Sequence, residues 1–302
     1  MHTSRTSAKF AALVAAFAIS TAVIQLGGCA SRHSRAAGHE DGEATQAKEA
    51  KGDERDLPVK EKIDQTYQLS PGAQTSISGI NGSVDIETAD TQTAEVHVIR
   101  SARDQETLDK NKTIVEHTPD RLVIRNENDK RGFWDLFKGG GEMRTRVTLK
   151  LPRRVKLDVS GVNGYVAVGE IDDRVEVSGV NGKVRVAQAA GSGSFSGING
   201  KIEVTVKDLG KKGIDVSGVN GPIELRFASG VNADIDVSGL NGGFNDQGAN
   251  VVMGEKHSEH NFTGKIGSGG APINISGVNG SVTLAKAENA RAVSASPSAS
   301  AK

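Results

Sequence analysis

Between residues 58 and 285 apolar and polar residues alternate with a period of two, and the alternation restarts around one short motif. The motif is Ser-Gly-Φ-Asn-Gly, where Φ is Val, Ile or Leu. It occurs seven times, beginning at Ser78, Ser160, Ser178, Ser196, Ser217, Ser238 and Ser276. Apolar residues tend to stand three and one places before the serine, as Leu157 and Val159 or Ile214 and Val216 do. Others stand three and five places after the asparagine, as with Val166 and Val168 or Ile223 and Leu225. Two-residue alternation marks half-buried strands, and β-branched residues suit their pleated surface. The aliphatic within each motif is expected to point inward with its neighbours. From Ser160 the copies start 18, 18, 21, 21 and 38 residues apart, the last interval being about two periods of 19. A unit this small cannot bury its apolar face alone, so regular copies imply stacking.

The Asn-Gly pairs predict sharp corners at Asn163–Gly164, Asn181–Gly182, Asn199–Gly200, Asn220–Gly221, Asn241–Gly242 and Asn279–Gly280. Such corners need positive φ, which glycine adopts freely and asparagine better than most residues. Asn-Gly between alternating strands also signals a hairpin, so a meander of hairpins competes. A meander does not require near-constant spacing, whereas stacking brings identical corners into a column. Asn and Ser side chains can then hydrogen-bond from copy to copy, as in cross-β ladders. Second bends are expected near Gly169, Gly191, Gly210 and Gly230. The expected fold is therefore all-β: a single-stranded β-solenoid of about eight coils, about 40 Å long at about 4.8 Å per coil. Residues 91–151 lack the motif. They predict a strand over 94–100, a short polar helix over 104–112, strands over 113–117 and 121–126, and a strand from Met143 to Leu151. This atypical N-terminal portion fits the rule that terminal repeats differ from the rest.

The ends of the chain read differently. Arg5 and Lys9 precede a weakly polar run from Phe10 to Leu26, which closes on Leu26-Gly27-Gly28-Cys29. A basic start, an apolar middle and small residues at the end are the layout of a secretory signal peptide. The closing four residues resemble the bacterial lipoprotein box, in which cleavage leaves lipid on the cysteine, here Cys29. Ordinary cleavage after Ala30 is the alternative, and the apolar run is short for a membrane span. Residues 1–28 are thus expected to be the signal, with lipidation at Cys29. Residues 29–57 form a polar tether, 58–285 the repeat body and 286–302 an Ala/Ser-rich tail. Ala30 after the cysteine implies the outer membrane in a Gram-negative cell. More than one acyl chain holds a protein firmly, since one alone anchors marginally.

Charge and composition exclude more than they assign. Lys plus Arg and Asp plus Glu balance at 37 each, which gives no electrostatic reason to expect nucleic acid. With Cys29 the sole cysteine there is no internal disulfide. The runs Val147-Thr-Leu-Lys-Leu-Pro152 and Val155-Lys-Leu-Asp-Val-Ser-Gly-Val-Asn-Gly164 resemble a bacterial β-strand-repeat family of unknown function that carries the label putative adhesin. So does Phe262-Thr-Gly-Lys-Ile-Gly-Ser-Gly-Gly270, followed by Ile273-Asn-Ile-Ser-Gly-Val-Asn-Gly280. The resemblance implies a single-stranded β-helix and brings no catalytic residues or cofactor with it.

Candidate chemistry is sparse. From Ser160 onward, two places before the motif serines stand Asp158, Glu176, Ser194, Asp215, Asp236 and Asn274, which predicts outward vertical pairs Asp158/Glu176 and Asp215/Asp236. Paired carboxylates could work on a glycan, where their separation sets the mechanism; a solvated face balanced by Lys183, Arg185 and Lys201 is the plainer reading. His257 and His260 alone are too few for a zinc site, and no metal is expected. The one aromatic cluster, Phe133, Trp134, Leu136 and Phe137, is expected either to cap the end of the repeat body or to touch lipid or a partner. Together these features point to a lipid-anchored, non-catalytic scaffold or binding module of the cell envelope, with an envelope protein or glycan as partner. A glycan-active enzyme and a structural spacer are the alternatives.

Overall fold

The computed structural model describes residues 57–128 and 143–287. These are almost entirely β: 19 strands in one hydrogen-bonded sheet, with a single short helix. Each motif copy joins a strand that enters the corner to one that leaves it, and equivalent positions of neighbouring copies pair in register. We call one such strand–corner–strand level a rung.

The entering strands are β2 (Ala73–Ser78), β8 (Val155–Ser160) and β10 (Val175–Ser178), followed by the last residues of β11 (Val184–Ser196) and of β12 (Ile202–Asn220). They pair in parallel, Ser78 with Ser160, Ser160 with Ser178, Ser178 with Ser196 and Ser196 with Ser217. The leaving strands are β3 (Val84–Ala89), β9 (Val166–Ile171), the first residues of β11 and β12, and β13 (Ile223–Phe227). They form a second parallel ladder, Val84–Val166–Val184–Ile202–Ile223. Inward side chains of both ladders join one core; Val159, Val166, Val184, Ile202 and Leu225 are fully buried there, as is the motif aliphatic, for example Val162 and Val180.

The second bends differ in detail from the expectation. Gly191 and Gly230 have positive φ, +102° and +89°. Gly169 lies inside β9, and that rung turns three residues later at Asp172–Arg174. At Gly210 the chain stays in β12, where the positive φ falls on Gly213 instead.

Both ends depart from sequential stacking. At the N-terminal end β4 (Thr93–Ala102), β5 (Asn111–Thr118), β6 (Arg121–Asn128) and β7 (Met143–Pro152) follow β3. Strands β6 and β7 lie parallel on β2 and β3, adding an eighth rung to the seven motif rungs. Their outer neighbours are antiparallel: β5 on β6, and β4 on β7 with β1 (Val59–Gln68) beyond it. Helix α1 (Gln105–Lys110) is shorter than the predicted 104–112 span. Asp104 caps it by accepting from the Thr107 N–H at 2.8 Å, and Asn111 already belongs to β5.

At the C-terminal end the rungs are out of sequence. The copy beginning at Ser238 forms β14 (Ala233–Asn241) and β15 (Phe244–Gln247), and the copy beginning at Ser276 forms β18 (Ala271–Asn279) and β19 (Val282–Lys286). The later copy lies between its predecessors: β18 pairs in parallel with both β12 and β14, and β19 with both β13 and β15. The 38-residue interval is therefore not two ordinary periods. It holds β16 (Val251–His257) and β17 (Phe262–Ile266), an antiparallel pair outside β14 from which the chain returns to the interior position.

Candidate functional site

The corners form one column. In the rung Ser178–Gly182, Val180 goes into the core while the corner backbone pairs with both neighbouring rungs. The Gly179 N–H donates to Ser196 O at 3.0 Å, Asn181 N–H to Val162 O at 2.8 Å and Gly182 N–H to Asn199 O at 2.9 Å. Positive φ falls on the two glycines and not on the asparagine, since Asn250 is the one described non-glycine residue with φ above zero. The first glycine of every copy lies between +60° and +69°, the second between +146° and +158°. The asparagines do different work. Each side-chain amide donates to the carbonyl oxygen of the asparagine one rung closer to the N-terminal end: Asn163 to Asn81, Asn181 to Asn163, Asn199 to Asn181, Asn220 to Asn199, Asn279 to Asn220 and Asn241 to Asn279, all at 3.1–3.2 Å. Asn81 ends the series by donating to Met143 O at 2.8 Å.

The outward row of the entering strands holds the carboxylates considered for catalysis. Asp158 and Glu176 are direct neighbours on β8 and β10. Burial, then the charge of Glu176, pushes the Asp158 carboxyl above its usual range, and Arg174 binds Glu176 at 2.8 Å. The expected second pair does not form. Asn274 stands between Asp215 and Asp236, because β18 is interposed between β12 and β14, and its Nδ2 donates to Asp215 Oδ1 at 2.8 Å.

The row on the leaving strands is an ion-pair ladder. Glu203 lies within 3.2 Å of Lys183, 2.8 Å of Arg185 and 2.5 Å of Lys201, and Glu224 within 3.1 Å of Lys201 and 2.6 Å of Arg226. Burial alone would raise the Glu203 pKa; hydrogen bonds and charge from Lys201 and Arg185 outweigh it and hold the group at about 2. Glu224 is held below its usual range in the same way by Arg226 and Lys201.

Cys29 and the cluster Phe133, Trp134, Leu136 and Phe137 lie outside the described residues. Of the two C-terminal histidines, His260 places Nδ1 2.7 Å from Leu240 O, a carbonyl that can only accept. Among the described residues no group of three or more His, Cys, Asp or Glu could hold a metal ion, and no helix is long and apolar enough to cross a membrane.

Two further sites gave no signal in the sequence. Arg100, 4% exposed on β4, donates to the carbonyls of Leu108 and Asn111 and pairs with Glu61 at 2.6 Å, pinning α1 to the sheet. Asn232 and Asp234 hold the turn between β17 and β18: Ser268 N–H donates to Asn232 Oδ1 at 2.9 Å and Gly270 N–H to Asp234 Oδ2 at 3.1 Å.

No family profile and no curated protein matches the chain. Among solved structures it is similar to a putative cell adhesion protein from Clostridium sporogenes, at 12% identity over 75% of this chain and 100% of that one, with a TM-score of 0.38. It is also similar to putative adhesins from Parabacteroides merdae (13% identity, 76% of this chain and 97% of that one, TM-score 0.25) and Bacteroides fragilis (10%, 75% and 98%, TM-score 0.23).

Proposed function

We propose that this chain is a lipid-anchored, non-catalytic scaffold or binding module of the cell envelope, with a β-solenoid as its body. The observation that carries this reading is how the outward rows are spent. Glu203 and Glu224 of the leaving-strand row are engaged by four cations, and the asparagines of the corner column by one another. Such rows make a stiff, regular surface rather than reactive groups. The anchor is Cys29, and the membrane or partner contact is the Phe133–Phe137 cluster. A second reading, an enzyme on envelope glycans, draws on one observation: Asp158 and Glu176 sit side by side in register, as a pair of catalytic carboxylates would.

The test has two arms. Full-length protein and its Cys29→Ser variant are compared for lipid labelling and membrane co-sedimentation, together with Trp134→Ala/Phe137→Ala. Loss of labelling with accumulation of precursor is expected for Cys29→Ser, and weakened association with an intact fold for the aromatic variant. Normal maturation of Cys29→Ser would refute the anchor. In the second arm, glycan digestion by the purified protein that vanishes in Asp158→Asn/Glu176→Gln would replace the scaffold reading with the enzymatic one.

A further inference from the structure

The rung that comes last in sequence is interior in the stack. Strands β18 and β19 fill a slot whose walls are β12–β13 on one side and β14–β15 on the other. The element is well buried: Ile273, Ile275, Val278, Val282 and Leu284 are at most 1% exposed. Both walls carry the same motif in the same register, so β14 would also fit directly on β12. Ile235 would then meet Ile214, Val237 would meet Val216 and Asn241 would meet Asn220. Nothing in the motif itself specifies which copy fills which level.

The connection into the slot is short and has a defined clasp. From β17 the chain crosses the start of β14 through Gly267-Ser-Gly-Gly270, in which Gly267, Gly269 and Gly270 have positive φ. Asn232 and Asp234 hold this crossover through the backbone N–H groups of Ser268 and Gly270. If it extends, β18–β19 leaves as a unit, since these are the last strands described. The vacated slot then presents two rows of unpaired backbone groups and an opened core. A rung of identical chemistry closes it again, and a second copy supplies one. Exchange of an identical element between protomers through a hinge is a low-cost route to association, and open strand edges are its template.

We propose that the β18–β19 rung is exchangeable between copies of this chain, so that a second copy's rung occupies the slot between β12–β13 and β14–β15 and links the two molecules. The inference does not depend on the anchor or on the functional reading above.

Asp215 and Asn274 are in-register neighbours within side-chain contact, which suits a disulfide. Full-length Cys29→Ser chains carrying either Asp215→Cys or Asn274→Cys are mixed, unfolded in urea, refolded together and oxidised with copper–phenanthroline. Each chain then has one thiol, so a 215–274′ bond forms between copies only. The double variant Asp215→Cys/Asn274→Cys, oxidised alone, checks the pairing within one molecule. Chains with Asp158→Cys and Asn274→Cys, whose rungs are not adjacent, measure random collision. The exchanged dimer is expected at least about tenfold above the collision pair on a non-reducing gel. Its yield without urea should rise when Asn232→Ala/Asp234→Ala releases the clasp. A 215–274′ yield equal to the collision pair in both protocols, while the double variant closes internally, would overturn the proposal. Failure of the double variant to close would overturn the rung order on which it stands.

Discussion

The two glycines of each corner should respond very differently to the smallest substitution, and Gly179 and Gly182 in one rung make the comparison clean. A Cβ on Gly179, φ +61°, would lie 3.5 Å from its nearest atom, Gly161 N, which is ordinary contact. Gly179→Ala therefore costs mainly the left-handed conformation, about 1–2 kcal/mol. A Cβ on Gly182, φ +151°, would lie 2.0 Å from Gly164 O and 2.7 Å from Gly164 C, both backbone atoms of the rung below. Relief requires the rungs to separate by roughly 1 Å or more against a strand spacing of about 4.8 Å. That strains the Gly164 N–H to Asn181 O and Asn181 N–H to Val162 O bonds between these two rungs, 3.0 and 2.8 Å long. Two such bonds at about 1 kcal/mol each, added to about 1–3 kcal/mol of conformational strain, put Gly182→Ala at about 3–5 kcal/mol. Urea unfolding followed by circular dichroism measures both variants against the parent. Equal costs for the two, or a Gly182→Ala cost within about 0.5 kcal/mol of zero, would show that the rungs are not in contact at the second glycine.

Three further expectations come from individual side chains. Glu203 titrates at about 2 when folded against an ordinary value near 4.5, so its ion pairs stabilise the protein fully above pH 4.5 and lose that effect as pH falls toward 2. After discounting for solvent screening, Glu203→Gln should cost about 1 kcal/mol at pH 7, and the gap to the parent should close between pH 4.5 and 2 in acid-unfolding curves. Asp158 behaves oppositely: its carboxyl is raised by burial and by Glu176, so its ionised form opposes folding above its raised pKa. Asp158→Asn should leave stability at pH 7 unchanged or slightly higher by thermal melting, and a clear loss would mean the carboxylate has a stabilising partner. Arg100→Ala removes the donor to two carbonyls and should free α1, at about 2–3 kcal/mol; hydrogen exchange should localise the loss to residues 100–115, and unchanged protection there would refute the clamp.

Much of this architecture is written in local chemistry. Two-residue alternation fixed which side chains face inward, because a strand's side chains alternate and only one face of each ladder meets the core; Leu157, Val159, Val166 and Val168 were all legible in this way. The motif also announced a column of like corners, since equal spacing brings like residues together. What it could not announce was which glycine does what: Ser-Gly-Φ-Asn-Gly reads as an Asn-Gly turn, and only the packed rungs show that the first glycine carries the left-handed bend. The second glycine is there because a neighbouring carbonyl occupies the place of its Cβ. The carboxylate rows show the same limit. Asp158 beside Glu176 followed from adjacent copies, whereas Asp215 beside Asp236 failed because the chain returns to insert Asn274 between them. Arg100 and the Asn232/Asp234 clasp were silent because what they hold in place is backbone brought near by the fold, and a backbone group has no residue type to read. Seven nearly identical copies specify how any rung sits on any other, so local chemistry is the same for every order of stacking. The order itself was decided by tertiary structure, where the β16–β17 excursion and the clasped turn return the final copy to an interior level.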